Sequence, residues 1–358
     1  MKKGLILFVI FITSASIFAQ SDKEKAYNLG MEGIKYIDEE KYDSAIQKLK
    51  EAAKLDKDNF IYLYEIGYAY YLKKDYENSL KYYKEVIEFD DATDQCYQML
   101  GNVYDATGDS GKAIETYNKG LEKFPNSGRL YLEKGNVYWN RNKFESAIPF
   151  YEQGIEADPE FSSNYYRATL IYCNSEIPLW GIIYGEIFMN LERNTERTEE
   201  ISKLLFDTYK SAININSEEE AKISFNRILK IDDNARGLPF SFAFETAMLK
   251  SIIPLMKNNK KEITLSNLND IRINFINFWY NDKTIVKFPV VTFKYMRKIQ
   301  GSGFLDVYNR WIFMMGAEEE FKLWSEANAD LWENFVKWFV KNKIEITQEN
   351  KFLSKDYD

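Results

Sequence analysis

Along the chain, small and large apolar residues return at helical intervals, and over four stretches the pattern itself repeats. Gly33, Gly67, Gly101 and Gly135 stand 34 residues apart, and Tyr36, Tyr70, Tyr104 and Tyr138 follow each by three. Twelve after each glycine comes Ala45, Ser79, Ala113 or Ala147, and four further on Leu49, Tyr83, Tyr117 or Tyr151. A period of this length marks stacked supersecondary units. Two antiparallel helices joined by a short turn approach closely only where side chains are small. The glycine of each first helix is therefore expected to face the Ala or Ser of the second. The rings and Leu49 would be buried between pairs, each contributing about 1.5–3 kcal/mol when fully buried. One pair cannot hide its apolar face alone, so the stack is stabilised by nearest-neighbour contact.

The copies span 26–59, 60–93, 94–127 and 128–161, with a late small position at Ala52, Val86, Gly120 and Gly154. Pro125 and Pro159 close the last two, whereas Lys57 and Asp91 take that place in the first two. This pattern resembles the tetratricopeptide repeat (TPR) family. The resemblance implies an all-α fold: a right-handed α-solenoid of TPR helix pairs over 21–195, then a mostly helical region over 196–358. A degenerate fifth copy, 162–195, keeps Tyr165 and Tyr172 in register. Thr169 replaces its glycine, and Gly181 and Gly185 fall where Ala and an aromatic belong. Pro178 suits the first turn of a helix, and Pro149 is expected to bend the one it interrupts. Ser21 to Glu24 has the form of a helix-starting capping box.

In the family, first-helix side chains line a concave groove. Carried onto this chain, they are Tyr64, Tyr68, Tyr71, Gln98, Asn102, Asp105, Arg129, Asn136, Trp139, Tyr166 and Arg167. Asn102 and Asn136 share one repeat position, where side-chain amides could bond an extended backbone. Tyr68, Tyr71 and Trp139 would act as aromatic anchors. The chaperone-binding members of the family use a basic clamp. Here only Asn102 and Arg167 match it, while Gln98, Glu133 and Ser163 depart from it, so that mechanism is not assigned.

Beyond residue 196 the long period ends and helical spacing continues, as in Leu268, Ile271, Phe275 and Phe278. Ile223 to Phe225 alternates and predicts a short strand. Gly316 is placed to cap a helix, and Gly301 to Gly303 reads as a helix connector. The last amphipathic segment carries Leu331, Phe335, Trp338 and Phe339 on one face. Packing explains that stripe, with a membrane-surface role as the alternative.

The chemistry narrows mainly by exclusion. With no His in the chain, Ser-His-Asp and Cys-His nucleophile systems and most zinc sites are removed. Acidic residues outnumber basic ones, 55 to 47, which repels phosphate backbones and excludes nucleic acid as a partner. No phosphate-binding loop, nucleophile elbow or EF-hand is present, and no metal or cofactor is expected. The N-terminus has the order of a secretory signal peptide: Lys2 and Lys3, an apolar run from Leu5 to Ile12, then small residues to Ala19. Cleavage after Ala19 would leave no transmembrane anchor, because the apolar run is shorter than the ~20 residues a span requires. Together with the repeats, it resembles the exported tetratricopeptide proteins of Bacteroidetes-type bacteria. Cys96 and Cys173 fall two repeats apart and are expected to remain free thiols. The chain thus reads as an exported, non-enzymatic scaffold for a protein or peptide partner. Its expected compartment is the periplasm, with the cell exterior or envelope as alternatives. Competing readings are a carboxylate-only hydrolase in the second half and a self-associating envelope protein.

Overall fold

The computed structural model describes residues 4–226, 239–258 and 260–357, with side chains from Ser21 onward. Lys2 and Lys3 therefore lie outside the described residues, as do the side chains of the apolar run. The chain divides into two compact units, residues 1–141 and 142–358, so the helices of the fourth repeat fall in different units.

The first unit is a run of helices: α1 (Gly4–Asp38), α2 (Tyr42–Leu55), α3 (Ile61–Leu72), α4 (Tyr76–Val86), α5 (Asp94–Ala106), α6 (Ser110–Lys123) and α7 (Gly128–Trp139). Helix α1 passes straight through Ser21, so the capping box expected there is not used: no helix starts at that residue. The turns inside the pairs repeat as faithfully as the glycines. Glu40, Lys74, Gly108 and Asn142, again 34 residues apart, all adopt the left-handed conformation, with φ between 55° and 85°. In the first three pairs the next N–H reaches back to close the helix, from Lys41 to the Tyr36 carbonyl, Asp75 to Tyr70 and Asp109 to Tyr104. Asp75 and Asp109 then cap the following helix by accepting from the N–H groups of Asn78 and Lys112.

Gly33, Gly67 and Gly101 lie at helix crossings, where they make room first for the large residue of the partner helix; the small one also abuts the glycine, with the Ala45 carbonyl 3.3 Å from a Cβ on Gly33. A Cβ on Gly33 would fall 2.6 Å from Leu49 Cγ, one on Gly67 3.1 Å from the Tyr83 ring, and one on Gly101 2.1 Å from the Tyr117 ring. The small residue has a separate use, since the Ser79 hydroxyl donates to the Gly67 carbonyl at 2.9 Å. Leu49, Tyr83 and Tyr117 are all buried inside their own pairs.

The second unit begins with α8 (Phe144–Ala157), α9 (Ser162–Cys173), α10 (Pro178–Leu191) and α11 (Glu196–Ala212). Pro149 sits inside α8, which continues through it, and Pro178 opens α10 as expected. Helix α10 is buried on every side from Pro178 to Asn190, as befits the centre of a core rather than its edge. The degenerate fifth repeat has its size complementarity inverted. A Cβ on Gly185, which stands where the aromatic belongs, would lie 2.9 Å from the methyl of Thr169, which stands where the glycine belongs.

A short hairpin follows, β1 (Ile213–Ile215) antiparallel to β2 (Ala221–Ile223) with Ile213 opposite Ile223. The strand thus ends at Ile223, where the sequence predicted that it would begin. Its anchor is Glu245, whose carboxylate accepts from the N–H groups of Phe225 and Asn226 at 2.9 and 2.8 Å. Among the described residues seven helices complete the unit: α12 (Phe240–Lys257), α13 (Leu265–Asn281), α14 (Thr284–Lys287), α15 (Val291–Gly301), α16 (Leu305–Phe313), α17 (Glu318–Ala327) and α18 (Ala329–Lys341). Gly303, at φ 79°, turns the chain between α15 and α16. Gly316 lacks a positive φ; a Cβ there would meet the Phe206 side chain at 2.2 Å, so it serves close packing and not capping. Trp311 packs on Phe339 at 4.8 Å and Phe304 on Trp338 at 5.7 Å, so packing accounts for the face of α18 that carries the rings. Leu331, one turn before Phe335 on the same face, is exposed.

At the centre of the second unit is a buried polar network. Arg272 donates through Nη2 to Glu186 Oε1 at 2.7 Å, through Nε to Asn309 at 2.9 Å and through Nη1 to the Tyr209 hydroxyl at 3.3 Å. The Tyr308 hydroxyl donates to the same Glu186 oxygen at 2.8 Å and accepts from Asn190 at 2.7 Å. Burial works to deprotonate Arg272, but Glu186, with Tyr209 and Tyr308 adding to it, more than offsets that, holding the guanidinium charged. One ion pair thereby ties α10 to α13, with α11 and α16 bonded to it.

Candidate functional site

The predicted groove residues of the first unit lie on the first helices α3, α5 and α7, and the polar side chains of α5 and α7 are bonded to one another or to their neighbours. Gln98 Nε2 donates to Glu133 Oε1 at 2.6 Å, and its carbonyl accepts from Arg129 Nη1 at 3.2 Å. Glu133 takes a second bond from Asn136 Nδ2 at 3.0 Å. Arg129 also stands 3.9 Å from Asp94, which accepts from the Ser127 hydroxyl. Asp105 pairs with Arg141 at 2.8 Å. Apart from the Asn136–Glu133 bond within α7, these contacts join residues about one repeat apart, so they form a polar ladder from one hairpin to the next.

The two amides expected to greet an extended backbone are accordingly already engaged. Asn102 accepts from the Tyr117 hydroxyl at 2.6 Å, and Asn136 donates to Glu133. What this face has to offer is aromatic. Tyr64 packs edge-on against Tyr83 at 5.4 Å, Tyr71 lies 5.9 Å from Tyr76, and Tyr68 packs beside them, half-buried. Burial raises the Tyr71 phenol pKa, and the neighbouring Tyr76, Glu133, Tyr68 and Asp105 raise it further, so Tyr71 stays protonated. Burial likewise raises Glu65 on α3, with Asp38 adding to it. Trp139 ends α7.

Tyr166 and Arg167 belong to the second unit, on α9. Tyr166 is held there: its hydroxyl donates to Glu200 at 2.5 Å and its ring carries the Arg197 guanidinium at 4.9 Å. Burial, then the bond to Glu200, pushes its phenol up to about 12. Arg167 lies 5.8 Å from the same ring. The sequence reading missed Glu133 as the hub of the ladder, although its place beside the groove positions of α7 was a signal for it.

Carboxylate chemistry of the kind weighed for the second half finds no matching geometry at two places. A cleft of about 190 Å³ between α12 and α13 is lined by one carboxylate, Asp270, beside Lys260. Glu245, raised chiefly by burial, is occupied by the hairpin. Among the described residues no group of three or more Cys, Asp or Glu could hold a metal ion, and no helix is long and apolar enough to cross a membrane. Cys96 and Cys173 are both free.

Models of the tetratricopeptide repeat match residues 33–74, 61–93 and 99–160. Solved structures similar to this chain include the MamA protein, at 21% identity over 47% of this chain and 92% of that one, with a TM-score of 0.37. Another is pilF of Pseudomonas aeruginosa, at 12% identity over 53% and 86%, TM-score 0.43. A third is TTC0263, a TPR protein of Thermus thermophilus, at 14% identity over 50% and 98%, TM-score 0.41. No curated protein matches the sequence. The matched segments of the chain are tetratricopeptide repeats, in an all-α solenoid.

Proposed function

We propose that this repeat-bearing chain is an exported scaffold that holds an extended polypeptide along the first-helix face of its repeats. The observation that carries the reading is the row of half-buried tyrosines on α3, Tyr64, Tyr68 and Tyr71, beside the polar ladder of α5 and α7. Interfaces draw most of their affinity from a few aromatic anchors, whereas each hydrogen bond adds only about 0.5–1.5 kcal/mol net. A face whose polar atoms already bond one another therefore favours a partner with bulky side chains over one recognised through its backbone. Tyr71, with Glu133 and Asp105 nearby, suits a Lys or Arg of that partner. Binding, not catalysis, is the role that this arrangement supports.

The test is a photo-crosslinker at Tyr71 in cells, with and without the Tyr68→Ala/Asn102→Ala/Trp139→Ala substitutions in the same chain. The expected result is a discrete crosslinked partner that the triple variant loses; equal recovery removes this face from consideration. Export rests on the order of Lys2, Lys3, the apolar run and Ala19. N-terminal sequencing of envelope fractions should find a chain starting at Gln20, and a cytosolic chain that retains residues 1–19 would refute export.

A further inference from the structure

A second opening lies away from the first-helix face, between α4, α5 and α6. It is a cavity of about 290 Å³ with a floor of Ile87, Tyr97 and Leu100. Its rim carries three lysines and one carboxylate, Glu115. The ammonium groups of Lys84 and Lys112 each stand 5.7 Å from the centre of the Tyr104 ring, and Lys119 lies on the same wall. Lys119 pairs with Glu115 at 3.0 Å and Lys112 with Asp109 at 2.6 Å, while Lys84 has no carboxylate partner among the described residues.

The same repeat positions recur two repeats later, in the second unit, and there the place is filled. Adding 68 residues, twice the 34-residue period, carries Lys84 to Glu152, Tyr104 to Tyr172, Lys112 to Trp180 and Thr116 to Tyr184. Onto these residues the chain lays its own C-terminal segment, which enters a 3-10 turn at Ser354–Asp356. Phe352 packs 5.9 Å from Trp180 and 5.4 Å from Tyr184. Two residues on, the Ser354 hydroxyl donates to Glu152 at 2.5 Å and its N–H to the Tyr184 hydroxyl at 2.9 Å. Lys355 then pairs with Glu156 at 2.7 Å. The occupant of the acidic version is thus an apolar anchor followed by a donor and a cation.

We propose that the cavity at Tyr104 is a binding site for an extended peptide of opposite polarity, one that presents an apolar side chain followed by carboxylates. Thr116 leaves open the space that Tyr184 takes up in the second unit, which gives the anchor somewhere to enter. Lys84 stands where Glu152 does and Lys112 where Trp180 does, so this wall carries cations in place of a carboxylate and a ring, and charge complementarity selects carboxylates where Glu152 selects donors. The site is independent of the first-helix reading and shares none of its residues.

The test uses the full chain and isothermal titration calorimetry. The probes are acetylated, amidated octapeptides that place Phe-Leu before three Asp, three Asn or three Lys. The Asp peptide should bind most tightly. Lys84→Glu/Lys112→Glu should weaken it about tenfold, in line with two partly exposed ion pairs, and should improve binding of the Lys peptide. Both lysines are exposed, and circular dichroism checks that the helices persist. Lys54→Glu/Lys57→Glu, with the same change in net charge away from the cavity, should leave the affinity in place. The proposal is overturned if the Asp peptide binds no better than the Asn peptide, if the cavity variant retains it, or if the control variant weakens it equally.

Discussion

Gly101→Ala isolates the contact on which the repeat architecture depends. In an exposed helix interior the change would stabilise by about 1 kcal/mol, because alanine has less backbone freedom to lose. At Gly101 the new Cβ would lie 2.1 Å from Tyr117 Cε1 and 2.6 Å from Cζ. Tyr117 is 1% exposed, so its ring has nowhere to swing. Overpacking of this kind costs about 1–3 kcal/mol. Pushing the ring aside also strains the hydroxyl bond to Asn102, at a further ~0.5–1.5 kcal/mol. The opposing terms leave a net loss of roughly 1–3 kcal/mol, which lowers a urea midpoint by about 1 M. Two comparisons sharpen the test. Gly67→Ala meets Tyr83 at 3.1 Å and should lose less, and Gly111→Ala, whose nearest neighbour is Asp109 Oδ1 at 3.7 Å, should gain stability. In a Tyr117→Val background the penalty at Gly101 should largely vanish. Urea unfolding followed by circular dichroism measures all four. A Gly101→Ala chain as stable as the parent refutes the packing argument.

Removing one half of the buried pair in the second unit should be severe: Arg272→Met leaves Glu186 charged and unpaired, a loss of about 3–5 kcal/mol, while Arg272→Met/Glu186→Leu should recover much of it. Thermal unfolding of single and double variants decides, and a single variant as stable as the parent would count against the network. Glu65 has a raised pKa in the folded chain, from burial and then Asp38. Its protonated form is thus favoured on folding: its contribution to stability is fully present below the unfolded value near 4.5 and is lost as pH rises through the higher folded value. Glu65→Gln should raise stability at pH 7 and flatten that part of the pH profile, and a variant profile parallel to the parent's would contradict this.

The long period was legible because Gly33, Gly67 and Gly101 each answer one steric demand that few residues can meet. The left-handed turn recurs just as regularly but carries Glu40, Lys74, Gly108 and Asn142. Backbone bonds from the next residue hold that turn, so side-chain identity there is free and leaves little trace in the sequence. The fifth repeat looked degenerate because its large and small partners are exchanged. Thr169 and Gly185 preserve the complementarity while breaking the pattern. Groove positions could be placed on the right helices, but not their bonding, since Glu133 reaches across to Gln98, in a separate repeat. The docking of Phe352 onto Trp180 and Tyr184 was out of reach, because contacts so distant in sequence have no period to reveal them.

The ladder along α5 and α7 bears on how any visitor to that face would register thermally. Gln98, Glu133 and Asn136 enter an encounter already bonded, so a newcomer's polar groups can only trade partners with them, bond for bond. Calorimetry of such an encounter should show little heat from polar exchange and a marked negative heat-capacity change from the tyrosines leaving water. Discrimination between rival sequences would then follow their bulky side chains more than their hydrogen-bonding capacity.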